Sequence, residues 1–300
     1  MDKEYRKGLV YALICYLIWG LFPIYWMPLL QQPIGADQLL AQRIVWATLL
    51  AVLAVFFLRK GRELRAACAQ PKTLAAFAAC ALVLGFNWLL YLYAITRHQV
   101  LQASLGYFIC PLISVLLGRL FLGETLGRSQ QLAIACAAIG VLWLATLGGQ
   151  MPWLALGMAV SFGFYGLIRK LALLPALTGF ALESLILFPF ALLYLFWQQQ
   201  QGSLVFSQLP ALPLAVVVGS GVMTMAPLLL FAAGARRIRL STLGMVQYIS
   251  PTLQFVVGLA LFGEAFDLHR FAGYLWVWAG VGLFIWGSRP QRALRNGAAA

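Results

Sequence analysis

The feature that most constrains this sequence is a series of apolar runs, each about as long as a bilayer is thick. They lie near residues 8–30, 37–58, 73–96, 100–122, 129–148, 152–171, 177–197, 211–234, 240–262 and 269–288. A membrane-crossing helix needs about 20 apolar residues, and backbone amides in lipid must find their partners within the segment. The sequence therefore predicts an all-α integral membrane protein with ten transmembrane helices.

Composition excludes the main alternatives. Of 300 residues, 63% are hydrophobic and only 10% are charged, whereas soluble domains are about 45–50% apolar and about 25% charged. These values exclude an ordinary soluble enzyme, a disordered chain and a small disulfide-stapled module. Ten spans leave no room for a separate soluble domain.

The distribution of basic residues predicts the orientation. Of the 21 Lys and Arg residues, only Arg97 and Arg270 fall in loops on one side, and Arg43 lies within a span. All the others, including Arg169 and Lys170, fall on the side that holds both termini. Short cytoplasmic loops are rich in Lys and Arg, so we predict a cell inner-membrane protein with both termini in the cytoplasm.

The chain also resembles itself. A shift of 140 residues places FICP (108–111) on YISP (248–251), FLGE (121–124) on LFGE (261–264), and Gly140 on Gly280. A shift of 146 places Trp19 on Tyr165. We predict a duplication with a first repeat at 8–148, a second at 152–288 and a cytoplasmic tail at 289–300.

Five helices per repeat is an odd number, so the second repeat enters the membrane from the opposite side. Such inverted repeats recur in secondary transporters, where two related halves surround one site near the middle of the membrane. The repeat thus favours a transporter by architectural analogy.

Several stretches resemble the EamA family of the drug/metabolite transporter superfamily. They lie at 19–20, 42–46, 85–90, 103–108, 121–124, 164–170, 240–244 and 247–252. The resemblance covers nearly the whole chain and implies a ten-helix inner-membrane permease with two EamA-like repeats. Cys110 departs from it, because the resemblance implies Asn before the proline.

Two charged residues lie inside predicted spans, Arg43 and Glu183, and they are repeat partners. Because ionisable groups in a membrane are costly, such residues are candidates for function. The two enter from opposite sides, so we expect them to line separate vestibules of a central cavity without touching. Arg43 then attracts or gates an anion and Glu183 binds a cation or proton. In the structural alternative, Arg43 snorkels or caps a helix and Glu183 accepts hydrogen bonds.

Matched prolines mark a second candidate region. Pro111 and Pro251 occupy corresponding helices, and each removes a helical hydrogen bond. The polar residues nearby are Tyr107, Gln247, Tyr248, Ser250 and Gln254. Interrupted helices at corresponding positions indicate a binding site, and kink packing is the alternative.

The third span adds Asn87, Trp88 and Tyr91, of which Asn87 and Tyr91 share a helical face. Asn87 must face protein or a cavity because lipid offers it no partner. Trp19 and Tyr165, with Tyr16, are candidates for an aromatic wall around a solute, although Trp and Tyr also serve as interface anchors. The spacing of Gly273, Gly280 and Gly287 predicts close packing with the fifth helix or a second copy of the chain.

No pattern in the sequence predicts a metal site, a cofactor or ATP binding. His98 and His269 lack carboxylates at ligand spacing, apart from Asp267, and the sequence has no phosphate-binding glycine loop. We predict a non-enzymatic secondary transporter of a small organic metabolite or drug-like solute, working by alternating access. Expected partners are the solute, the lipid bilayer and a proton or other ion, with no nucleic acid. The alternatives are a membrane-embedded enzyme and a membrane scaffold.

Overall fold

The computed structural model describes residues 3–29, 31–96, 100–146, 153–172, 174–261 and 268–287. Across these ranges the chain is helical and contains no strand. The helices are α1 (Lys3–Gly20), α2 (Phe22–Trp26), α3 (Ala36–Phe57), α4 (Gly61–Cys68), α5 (Pro71–Thr96), α6 (Val100–Leu122), α7 (Arg128–Thr146), α8 (Trp153–Leu171), α9 (Ala176–Gln200), α10 (Ala211–Ala235), α11 (Leu240–Gln247), α12 (Ile249–Leu261) and α13 (Leu268–Gly287).

The membrane class is confirmed. Among the described residues, eight segments are long and apolar enough to cross a membrane, or nine if the bent pair Lys3–Gly20 and Phe22–Leu29 is one span. One of the eight, Leu240–Leu261, consists of α11 and α12 together. The last predicted run coincides with α13, which is not among the nine. The predicted boundary between the repeats, residues 149–151, and the tail at 289–300 lie outside the described residues, as do Arg97, His98, Gly263, Glu264 and Asp267.

Two local features were not predicted. The first apolar run is bent by 42°, because the turn at Leu21 is followed by Pro23 in the first turn of α2, where a missing N–H is tolerated. The short helix α4, whose sequence is GRELRAAC, lies between the second and third predicted spans. It buries Ala67 in a small cluster with Phe77 and Leu182.

The last helix packs antiparallel along α7. A Cβ on Gly140 would lie 2.6 Å from the carbonyl oxygen of Gly273, and one on Gly280 would lie 2.6 Å from that of Ala133. These two close approaches are repeat mates, since Gly280 follows Gly140, and Gly273 follows Ala133, by 140 residues. The glycine face of α13 is therefore covered by the fifth predicted span, which was one of the two expected partners.

The helices α6 and α11 form a second antiparallel pair related by the 140-residue shift of the predicted repeat. A Cβ on Gly244 would lie 2.7 Å from the carbonyl oxygen of Pro111. At the other end, Glu124 accepts hydrogen bonds from the Leu240 and Ser241 amides at 2.6 and 3.0 Å and from the Ser241 hydroxyl at 2.6 Å. Its carboxylate thus caps the first turn of α11, where negative charge is favoured.

The third pair, α3 and α9, is also antiparallel. The Thr48 hydroxyl, in the middle of α3, contacts the Ser184 carbonyl at 3.3 Å. At the start of α3, Asp37 accepts a hydrogen bond from Tyr194, which lies near the end of α9. The first helix, in turn, runs antiparallel to α10, with the carbonyl of Gly8 against Gly234. Helices distant in sequence are thus interleaved, and the largest hydrophobic cluster draws residues from both halves of the chain.

Candidate functional site

A small internal void lies where α3, α5, α9 and α10 meet. Its volume is about 10 Å³, which is room for about one water molecule. The residues around it are Ile44, Ala47, Leu84, Trp88, Phe180, Glu183, Ser184, Leu187 and Thr224. We expected a cavity large enough for a solute, whereas this void has room for about one water molecule.

Several residues that line the void are related by the 140-residue shift of the predicted repeat. Three pairs of lining residues differ in number by 140: Ile44 with Ser184, Ala47 with Leu187, and Leu84 with Thr224. The void therefore lies where the two halves of the chain present corresponding positions to each other.

Arg43 lies beside this void. Its Nε donates a hydrogen bond of 3.1 Å to the Thr224 hydroxyl, and its guanidinium lies 5.6 Å from the ring centres of both Trp26 and Trp88. Within the described residues, its side chain forms no ion pair. The predicted separation from Glu183 is consistent with these contacts, because Glu183 has a different cationic partner.

Tyr91 and Tyr107 are neighbours of this cation. Their ring centres are 6.4 Å apart, and both lie close enough to interact electrostatically with Arg43. Both rings are half-buried. Tyr25 also interacts electrostatically with Arg43, so the described chain places two indoles and three phenols around one cation. Of these five residues, Trp88, Tyr91 and Tyr107 were among the predicted site residues.

Glu183 is fully buried and ion-paired with Arg169 at 3.2 Å, with both side chains 2% exposed. The Tyr165 hydroxyl donates to the other carboxylate oxygen at 3.3 Å, and Arg169 also donates to the Ala176 carbonyl. This geometry agrees with the structural alternative for Glu183. Arg169, which the sequence places at the cytoplasmic end of the sixth predicted span, is buried inside the protein.

Asn87 has its amide satisfied by α8. Its Nδ2 donates to the Met158 carbonyl at 2.8 Å and to the Ser161 hydroxyl at 2.9 Å. Asn87 therefore contacts protein, which is one of the two surroundings expected for it. These bonds hold α5 against α8 and leave its amide nitrogen engaged by the protein.

Replacing Asn87 with Leu is therefore expected to lower the free energy of unfolding by about 1–3 kcal/mol, because two buried hydrogen bonds are lost. Among the described residues, Ser161 then keeps its bond to the Met158 carbonyl of its own helix. Thermal unfolding in detergent measures this loss. Leu89→Ala, on the exposed face of the same helix, is the control and should change stability much less. An unchanged Asn87→Leu protein that lost selectivity for solutes would contradict the structural role.

The two prolines differ in their effect on the helices. Pro111 lies inside the continuous helix α6, whereas Pro251 follows the break between α11 and α12. Near that break, Ser250 donates to the Tyr16 carbonyl at 2.7 Å and Gln254 to the Trp19 carbonyl at 3.2 Å. These bonds tie α12 to the end of α1, in agreement with the packing alternative.

The remaining predicted residues form buried clusters near the same helices. Trp19 packs against Tyr16, Phe162 and Phe231, and Tyr165 stacks on Phe231 at 5.6 Å. Gln247 is buried and lies near the Cys110 thiol. The ring of Tyr248 lies 6.3 Å from that of Phe108, and the hydroxyls of Tyr16 and Tyr248 are buried without partners in the described chain.

Sequence reasoning missed three residues of this region: Trp26, Arg169 and Thr224. Trp26 was included in an unbroken first span. Arg169 was counted with the basic residues of the cytoplasmic side because such residues commonly end a span there. Thr224 carries no sequence signal of its own, because a threonine in an apolar helix commonly bonds its own backbone. The sequence offers one indication of its place: Thr224 lies 140 residues after Leu84, so the predicted repeat puts the two at corresponding positions. In the described ranges no group of three or more His, Cys, Asp or Glu side chains could hold a metal ion.

Comparison with known proteins places this helical arrangement in a class. A sequence model of the EamA-like transporter family matches residues 6–146. The chain is 38% identical to Protein RarD of Escherichia coli over 94% of this chain and 95% of that one. It is 40% identical to the uncharacterized transporter YojE of Bacillus subtilis over 94% of each chain.

A solved structure, described only as "Crystal structure of protein", superposes with a TM-score of 0.71 at 17% identity, covering 94% of this chain and 99% of that one. The fold and relatives define a multi-pass membrane transporter. The chain belongs to the EamA-like transporter family of the drug/metabolite transporter superfamily.

Proposed function

We propose that this chain is a secondary transporter that moves a small organic solute by alternating access between two inverted five-helix halves. The first half comprises residues 8–148 and the second residues 152–288, giving ten membrane spans. In this proposal the protein lies in the inner membrane with both termini in the cytoplasm, and it requires no cofactor or ATP.

The observation that carries the proposal is the void lined by three pairs of repeat-related residues. A void at a repeat junction is the expected position of a transport site. The antiparallel contact of α3 with α9, α6 with α11 and α7 with α13 supports inversion, because parallel repeats would bring counterparts together side by side in the same direction.

The volume of the void supports an occluded conformation. A space of about 10 Å³ cannot hold an organic solute, so α3, α5, α9 and α10 must separate to admit one. We propose that Arg43, Trp88, Tyr91 and Tyr107 line the vestibule on one side, and that the Arg169–Glu183 pair closes the other. Paired with Arg169, Glu183 is then a closing residue, and a coupling ion is not part of the proposal.

Solute counterflow tests this function. Compounds that raise the melting temperature of the purified protein identify ligands of the folded state, and the best of them is then followed in proteoliposomes loaded with unlabelled compound. Transport predicts transient accumulation of labelled compound above equilibrium, absent from empty liposomes. A ligand that binds but never exchanges across the membrane would contradict the proposal and favour a scaffold. Chemical conversion of the ligand would favour an enzyme.

A further inference from the structure

Arg43 has no counter-charge among the described residues. Every carboxylate in the described part of the chain has another partner. Glu183 pairs with Arg169, Glu4 with Lys7 and Arg237, and Glu63 with Lys60. Glu124 caps α11, and Asp37 accepts from Tyr194. In the described part of the chain, Arg43 is therefore a membrane-embedded cation without an anion.

The neighbours of Arg43 leave part of its guanidinium available. The Nε engages the Thr224 hydroxyl, and the two Nη groups form no hydrogen bond to any described residue. Those groups form one of the two edges on which arginine holds a carboxylate or phosphate through parallel hydrogen bonds. The free edge matches an oxyanion better than a neutral or cationic group.

The surroundings of this edge are aromatic. Trp26 and Trp88 stand 5.6 Å from the guanidinium, and the pair Tyr91 and Tyr107 lies nearby. In the described chain, neither of these two tyrosine hydroxyls has a hydrogen-bond partner. Rings of this kind contact flat apolar bodies favourably, and ligand sites typically combine such walls with a few polar groups that fix orientation.

We infer that the transported solute is an organic anion whose oxyanion group binds Arg43 end-on while its aromatic body lies among Trp26, Trp88, Tyr91 and Tyr107. This inference rests on the proposed transport function and names its substrate class. Binding of the anion neutralises the unpaired cation. The loaded protein therefore passes through the occluded conformation at a lower free-energy cost than the empty protein.

The test uses a matched set of probes: indole-3-acetate, the neutral indole-3-acetamide and the cationic tryptamine, with phenyl phosphate as a second oxyanion. Binding to the purified full chain is measured by calorimetry. The wild type should bind indole-3-acetate about tenfold or more tightly than the amide, because the amide lacks the negative charge and one of the two acceptor oxygens. Relative affinity for phenyl phosphate distinguishes a carboxylate from a phosphate substrate.

Variants of Arg43 test whether this residue causes the preference for the acid over the amide. Arg43→Gln should abolish the preference for the acid while leaving amide binding within about twofold, and Arg43→Lys should retain a weakened preference because it keeps the charge without the planar fork. Arg119→Gln, at the exposed end of α6, removes the same charge elsewhere and should behave as wild type. Monodispersity of each variant is checked by size-exclusion chromatography.

Equal binding of acid and amide by the wild type, or a preference that survives Arg43→Gln, would overturn the inference. If a neutral compound shows counterflow without any preference for anions, transport stands and this inference fails. If indole-3-acetate binds through Arg43 but is never exchanged across the membrane, the anion site stands and the transport proposal fails.

Discussion

Replacing Glu183 with Gln is expected to lower the free energy of unfolding by about 3–5 kcal/mol, because it leaves Arg169 buried without a counter-charge. Both side chains are 2% exposed, so water cannot screen the remaining cation. Arg169 already has one unpartnered nitrogen, its Nε, and the glutamine of the variant would offer it one neutral acceptor oxygen in place of a charged carboxylate. Thermal or denaturant unfolding in detergent measures the loss.

Matched variants distinguish the contribution of the ion pair from the cost of leaving one buried charge unpaired. A double variant, Arg169→Met with Glu183→Leu, should recover most of the lost stability, since a buried ion pair is often replaceable by apolar residues of similar volume. Glu63→Gln removes a surface pair with Lys60 and should cost less than about 1 kcal/mol. A Glu183→Gln protein as stable as the wild type would show that the ion pair does not hold α8 and α9 together.

Beyond stability, the double variant tests the closing role given to this pair. If Arg169 and Glu183 close one side of the central site, their removal should leave ligand binding intact while shifting the protein towards the conformation open on that side. A double variant that no longer bound any ligand of the wild type would contradict the closing role and place the pair in the binding site itself.

The second large effect is expected in the antiparallel pair α7 and α13. Replacing Gly280 with Leu should destabilise the protein by about 2–3 kcal/mol, because its Cβ would meet the Ala133 carbonyl oxygen at 2.6 Å and the Ala137 amide nitrogen at 2.9 Å. Both are backbone atoms, which cannot avoid the clash by a change of rotamer as a side chain can. The melting temperature of the purified protein reports the change.

The chain supplies matched controls for this prediction. Gly282 lies two residues further along α13, and a Cβ placed there would have no atom of another part of the described chain within 4 Å. Gly282→Leu should therefore leave stability unchanged or raise it slightly, as leucine is the better helix former. Gly140→Leu, the repeat mate of Gly280, should match its loss. Equal behaviour of the Gly280 and Gly282 variants would contradict the packing, and a tolerant Gly140 would contradict the symmetry of the interface.

Much of the fold was predictable because each span carries its own signal. A run of about 20 apolar residues indicates a membrane helix without knowledge of its neighbours, so all ten predicted runs coincide with helices in the described residues. The short helix α4 was missed because eight residues with three charges resemble a cytoplasmic loop. The bend at Leu21 was missed because the run continues through Pro23 without a polar interruption.

The site was harder to predict, because its chemistry depends on which helices meet. Sequence alone marked Arg43 and Glu183 as costly, but only the packing of α8 against α9 shows that Arg169 pairs with Glu183. Asn87 was expected to face protein or a cavity, and its partners on α8 could not be named. Thr224 could not be identified from the sequence, because a single threonine in an apolar helix is common and adds little free-energy cost. Its role appears only in the structure, where its hydroxyl accepts a hydrogen bond from Arg43.

The central claim, alternating access to the repeat junction, is tested most directly by cysteine accessibility. In a chain without its native cysteines, Ile44→Cys and Ser184→Cys place one thiol on each half of the void, with Lys60→Cys and Gln201→Cys as references for the two membrane faces. A membrane-impermeant thiol reagent is added to vesicles of each orientation. Alternating access predicts that both void positions react from either side, whereas each reference reacts from one side only. Void positions that react from one side alone, or from neither, would contradict it.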